Sequence, residues 1–151
     1  MPAVYENFGV RFLYPENWSI LDEESDAWPR TVTLQSEQTG FWTLWAYPPL
    51  HEARKAVTEV IETIREAYPD LEVLPAKEMI GDAQTKGVDM AFFYLDLLVE
   101  SRIRCLKTPS ALLLWHYQAE SREFEQIEPV FRAMTVNMLQ TQVALHELTD
   151  E

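Results

Sequence analysis

Apolar positions along the chain recur at two different periods, and the switch between them separates strand-rich stretches from helical ones. Residues 10–14 (Val-Arg-Phe-Leu-Tyr) read as a strand, Pro15, Glu16 and Asn17 as a turn, and residues 18–21 as a short second strand. Residues 31–35 and 41–47 are β-branched or aromatic and are linked by a polar stretch ending in Gly40, which predicts a hairpin. The period then changes. Ala53, Ala56, Val57, Val60, Ile61, Ile64, Ala67 and Tyr68 follow spacings of three and four, with charged residues opposite and Pro69 as a stop, so a surface helix is expected. Strands follow at residues 72–77, 87–95, 97–107 and 111–118, with only Asp96 to break the long middle pair. A second helix starts near Ser121, an expected N-cap, and carries Phe124, Ile127, Val130, Phe131, Met134 and Met138 as its stripe. Pro129 either kinks it or marks the first turn of its main part.

Sequential strands joined by short turns pair antiparallel, so the expected class is α+β: a central antiparallel sheet of about six strands flanked by two main helices. Linkers and repeats are absent, and residues 1–139 read as one domain with a C-terminal tail at 140–151, where periodicity weakens.

A half-exposed strand should alternate apolar with polar residues. Several strands here do not. Phe41, Thr43, Trp45 and Tyr47 oppose Trp42, Leu44 and Ala46; Ala111, Leu113, Trp115 and Tyr117 oppose Leu112, Leu114 and His116. Both faces of the sheet centre are therefore apolar. Two helices of about 16 residues cover one sheet face but not readily both. Three coverings are open: helices split between the sides, N-terminal strands folded over one face, or another molecule. In the last case an aromatic patch drawn from Trp28, Trp42, Trp45 and Trp115 serves dimerisation or ligand capture.

Composition sharpens this picture mainly by exclusion. Twelve Lys and Arg against 25 Asp and Glu give a net charge of −13, which argues against nucleic acid and anionic membranes as partners. Net charge over residues 1–50, 51–100 and 101–151 is −5, −6 and −2. The run from Asp22 to Asp26 lacks calcium-loop spacing and reads as a solvated loop. No apolar stretch approaches the ~20 residues of a spanning helix. The first ten residues lack a signal-peptide pattern, so a cytoplasmic location is the expectation. Cys105, alone in the sequence, allows neither an intrachain disulfide nor a thiolate cluster and reads as a small buried hydrophobe.

No phosphate loop, nucleophile elbow or metal-ligand spacing appears, so no catalytic residue, metal or cofactor is assigned. His51, His116 and His146 are isolated; only His116, on a central strand between Trp115 and Tyr117, is expected in a structured cleft, and no Ser, Cys or carboxylate forms a recognisable set with it.

The segment Phe8-Gly9-Val10-Arg11-Phe12-Leu13-Tyr14-Pro15-Glu16-Asn17-Trp18-Ser19-Ile20 resembles the opening strand and turn of PsbP-like proteins. The aromatic-rich last strand and a closing helix with Phe124, Ile127, Pro129, Phe131 and Met134 are similar to the end of that superfamily. The resemblance implies a central antiparallel sheet sandwiched by helices, a fold shared by photosystem PsbP subunits, a Ran-GTPase release factor, DcrB lipoproteins and chaperones of type VI secretion effectors. These relatives share no reaction, and most are binding or assembly factors. The chain shows neither a lumenal targeting peptide nor a lipoprotein cysteine, which counts against the photosystem and envelope roles.

Two functions compete. One is a non-enzymatic adaptor or chaperone, with a homodimer as the expected form, whose apolar sheet face framed by acids takes a protein partner with apolar anchors and a basic rim. The other is a small-molecule-binding protein or enzyme with a pocket lined by Trp42, Trp45, Trp115 and His116.

Overall fold

A computed structural model describes residues 2–22 and 27–149, with side chains described to residue 142. Residues 23–26 of the acidic run and His146 lie outside the described side chains. The chain builds β1 (Pro2–Asn7), β2 (Val10–Pro15), β3 (Ser19–Asp22), β4 (Arg30–Gln35), β5 (Phe41–Tyr47), α1 (Ala53–Ala67), β6 (Glu72–Ile80), β7 (Ala83–Tyr94), β8 (Leu97–Lys107), β9 (Leu112–Glu120) and α2 (Ser121–Thr149). The main sheet has seven antiparallel strands in the order β3-β4-β5-β9-β8-β7-β6. The α+β class holds, with one more strand than expected and a separate hairpin.

That hairpin is the main departure from the alternation pattern. Residues 2–7 have no clear period yet form β1, which pairs with β2 in a two-stranded unit outside the main sheet. The unit folds over one sheet face beside α2, and Leu13 N–H donates to Asn137 Oδ1 of that helix at 2.8 Å. Phe12 and Trp18, both from the opening segment, enter the core edge-on to Trp42 and Phe131, with ring centroids 5.0 and 5.7 Å apart.

The doubly apolar strands are covered from both sides. Strand parity sends Trp42, Leu44, Ala46, Leu113, Trp115 and Tyr117 to the face under α2 and the β1–β2 hairpin, where Phe124, Phe131, Met134 and Met138 meet them. The opposite parity sends Tyr47, Leu112, Leu114, Ile103 and Cys105 to the face under α1, against Val57, Val60, Ile61 and Ile64. One helix per face, plus a hairpin, is the covering realised.

α1 connects β5 to β6, crossing β9, β8 and β7. Pro75 in β6 costs the sheet no ladder bond at its centre, because β6 is an edge strand. α2 starts at Ser121, but the cap acceptor is Glu120 Oε2, which takes the Arg122 N–H at 3.2 Å; the Ser121 hydroxyl donates to Glu100 instead. Pro129 lies inside α2, and the helix continues past residue 139 to Thr149.

α2 is also tied to the sheet by charge. Arg104, 3% exposed, donates from Nε to Glu78 Oε1 at 2.8 Å and from Nη2 to Asp89 Oδ1 at 2.7 Å. Glu78 binds Arg132 of α2, Arg132 binds Glu128, Glu128 pairs with Arg102, and Arg102 with Asp89, closing a ring of three arginines and three carboxylates. The buried charge of Arg104 is thereby paired on two sides. The ring needs β7 and β8 close together at Gly87, where a Cβ would collide with the Ile103 carbonyl oxygen.

Candidate functional site

The four residues singled out in sequence do not form one pocket. Trp42 and Trp115 are fully buried under α2: Trp42 Nε1 donates to Thr135 Oγ1 at 3.2 Å, and Trp115 Nε1 has no hydrogen-bond partner among the described residues. Trp45 and His116 lie on the opposite face, their rings stacked with centroids 6.3 Å apart. Successive residues of a strand point to opposite sides, so Trp42 and Trp45, an odd three positions apart, diverge. Trp42 and Trp115 are therefore core residues, and a pocket lined by all four is ruled out.

His116 is 5% exposed and enclosed by Trp45, by the edge of Phe41 at 5.2 Å, and by Ser101 Oγ at 2.6 Å from Nε2. Sequence proximity shows no serine beside it; β8–β9 register supplies one, since Ile103 faces His116 and Ser101 is the next same-side residue of β8. Burial pushes the imidazole pKa down to about 4, with a hydrogen bond to Gln118 opposing the shift, so the ring is neutral at pH 7. Ser101 is 1% exposed, and its hydroxyl is closed to a substrate. The pair satisfies two buried polar groups.

Beside it, α1 lies over β8 and β9 and leaves β4 and β5 open on this face. The result is a groove of about 690 Å³ whose lining includes Thr43, Phe41, Trp45, Tyr47, Glu59 and His116. On the other face, the β1–β2 hairpin and α2 enclose an apolar groove of about 760 Å³ lined by Leu13, Tyr14, Pro129, Val130 and Met134. Among the described residues no cluster of three or more His, Cys, Asp or Glu could hold a metal ion, and no helix is long and apolar enough to cross a membrane.

A surface not signalled by the sequence stands at the β7–β8 turn. Phe93, Tyr94, Leu95 and Leu97 are 69, 52, 78 and 39% exposed at the hairpin tip, with Tyr94 and Leu97 paired on the α1 side and Phe93 pointing to the other. Tyr94 pairs with Leu97, leaving Leu95 and Asp96 as a two-residue turn with φ of 48° and 67°. Such turns favour Asn-Gly, and a leucine in this left-handed conformation is strained. Tyr94 and Leu97 also line a cleft of about 210 Å³ shared with Tyr68, Phe92 and Glu120. The missed signal was an apolar run continuing through a turn that has no turn residues except Asp96.

No family profile and no curated protein matches the chain in sequence. Solved structures do match. The solution structure of cyanobacterial PsbP (CyanoP) from Synechocystis sp. PCC 6803 superposes with a TM-score of 0.64 at 12% identity, covering 90% of each chain. The chain has a PsbP-like fold. LpqN, involved in cell envelope biogenesis of Mycobacterium tuberculosis, matches at a TM-score of 0.45 and 10% identity over 89% of this chain and 86% of its own. A Mog1 variant matches at 0.49 and 11% identity, over 95% and 94%. These identities speak to the fold alone, as the resemblance in the opening segment implied; within the PsbP-like frame, function has to be argued from the surfaces just described.

Proposed function

We propose that this PsbP-like protein is a non-enzymatic adaptor that binds a protein partner through the β7–β8 hairpin tip. The observation that carries the reading is the hairpin tip itself: Phe93, Tyr94, Leu95 and Leu97, four large apolar side chains, are all exposed within five residues of a strained turn. Soluble domains rarely leave such a cluster open without an interaction to serve, and backbone strain concentrates at functional sites. Asp96 in the turn and Glu120 in the adjoining cleft put negative charge around the apolar centre. The partner that fits has an apolar anchor and a basic rim, as in interfaces with a dry centre and charges at the edge. The tip is preferred to the sheet faces because α1, α2 and the β1–β2 hairpin cover most of both, leaving only the β4–β5 part of one face open.

A photo-crosslinking residue at Phe93 tests the assignment. Expected is a covalent adduct with one basic-surfaced protein, weakened by added salt and lost in Leu95→Asn. Adducts only with a second copy of this chain, or none, overturn it.

A further inference from the structure

The groove beside α1 has a chemistry distinct from that of the hairpin tip. Phe41, Trp45 and Tyr47 supply aromatic walls, and among the described residues Glu59 at its rim is the only charged side chain that lines it. Thr33 and Thr43 hydroxyls lie 2.9 Å apart and share one hydrogen bond, so neither adds a charge to the groove. We propose that this groove is a binding site for a positively charged nitrogen group on an apolar stem: an ammonium or a guanidinium.

Three observations converge on a cation. Aromatic faces attract ammonium and guanidinium groups while offering nothing to an anion. His116, the one basic side chain in the lining, is uncharged at pH 7 because of its burial. The Glu59 carboxylate acts on the groove interior: burial first and its negative charge second raise the pKa of the Tyr47 phenol. A cation entering between Glu59 and the rings meets attraction on each side, and the net charge of −13 favours its approach. An anion would meet a carboxylate that no cationic side chain among the described lining residues offsets. The apolar stem fits against Val60 and Ile64 of α1, which close one side.

Two sources present the same chemistry: a free alkyl amine, or the Lys or Arg side chain of a protein segment. The test follows the Trp45 indole and His116 ring signals by NMR while phenethyltrimethylammonium, butylguanidinium and a short lysine peptide are titrated in. Controls are the uncharged tert-butyl isostere of the ammonium probe, hexanoate, and the same peptide with acetyl-lysine. Saturable shifts at Trp45 and His116 with the cations, at least fivefold weaker with the uncharged isostere and absent with hexanoate, are expected. Glu59→Gln, an exposed change on α1 whose fold is checked by circular dichroism, should weaken binding about fivefold, the strong end of an exposed ion pair. Tighter binding of the lysine peptide than of the free ammonium assigns the source to a protein; the reverse assigns it to a small amine, and either supports the cation site. Equal binding of charged and uncharged isosteres, or no effect of Glu59→Gln, overturns it. The hairpin-tip variant Leu95→Asn should leave these titrations unchanged, so the two sites fail separately.

Discussion

Replacing Leu95 with asparagine should make the protein more stable while removing its partner binding. Leu95 sits at φ 48°, where a leucine pays for contact between its Cβ and the backbone, about 1–2 kcal/mol, whereas asparagine tolerates that region through local hydrogen bonding. The substitution gives up little apolar burial: at 78% exposure, the covered part of the side chain contributes about 0.5 kcal/mol. The net gain is about 1 kcal/mol, which for a domain of this size raises Tm by about 2–4 °C. Urea denaturation and a thermal scan measure it. Phe93→Ser is the control, since it removes exposed apolar surface without altering turn strain, and it should leave Tm nearly unchanged. A Leu95→Asn protein with equal or lower stability than the parent would refute the claim that the turn stores strain.

Gly87→Ala should destabilise the sheet by about 3 kcal/mol or more in urea denaturation, because its Cβ overlaps the Ile103 carbonyl oxygen and only backbone movement relieves it. His116 gives stability that is fully present above its unfolded pKa of about 6.5 and is lost as pH falls toward about 4; the span is worth roughly 3 kcal/mol. His116→Gln should flatten that slope, and an imidazole NMR midpoint near 6.5 in the native protein would contradict the burial argument. Burial tends to raise the Glu78 pKa, but the hydrogen bond and charge of Arg104 and the charge of Arg132 lower it on balance, so its contribution is present above pH 4.5 and declines below. Glu78→Gln should remove that acid sensitivity and, by taking one of its two carboxylate partners from Arg104 while Asp89 remains, cost about 1.5–3 kcal/mol at neutral pH.

Periodicity made the α1 segment legible almost to its ends, because Ala53 to Ala67 is amphipathic and Pro69 stops it. β-Branched and aromatic runs bounded by turn residues likewise located β4, β5 and β9. Their failure to alternate also showed that both sheet faces are apolar, and the helices do divide between them. What it could not supply was the partner of each strand. The β1–β2 hairpin leaves the main sheet because Phe12 and Val10 bury against α2, a contact far away in sequence. Ser101 and His116 meet through the β8–β9 register, 15 residues apart. The tip escaped notice since Phe93 and Leu95 read as core by type, and only the geometry of a two-residue turn places them outside the sandwich. Trp42 and Trp45 show the same limit from the other side: alike in type, they belong to opposite layers.

The strand order carries a consequence for how the protein is made. β9, flanked by β5 and β8 at the middle of the sheet, is the last strand to leave the ribosome. Until it emerges, β3–β5 and β6–β8 are two half-sheets with open edges, and neither can join the other directly. Newly synthesised chains thus spend the interval before residue 112 exposing two templates for unwanted strand pairing, and fragments ending before β9 should aggregate rather than fold. The sheet closes only when its centre arrives.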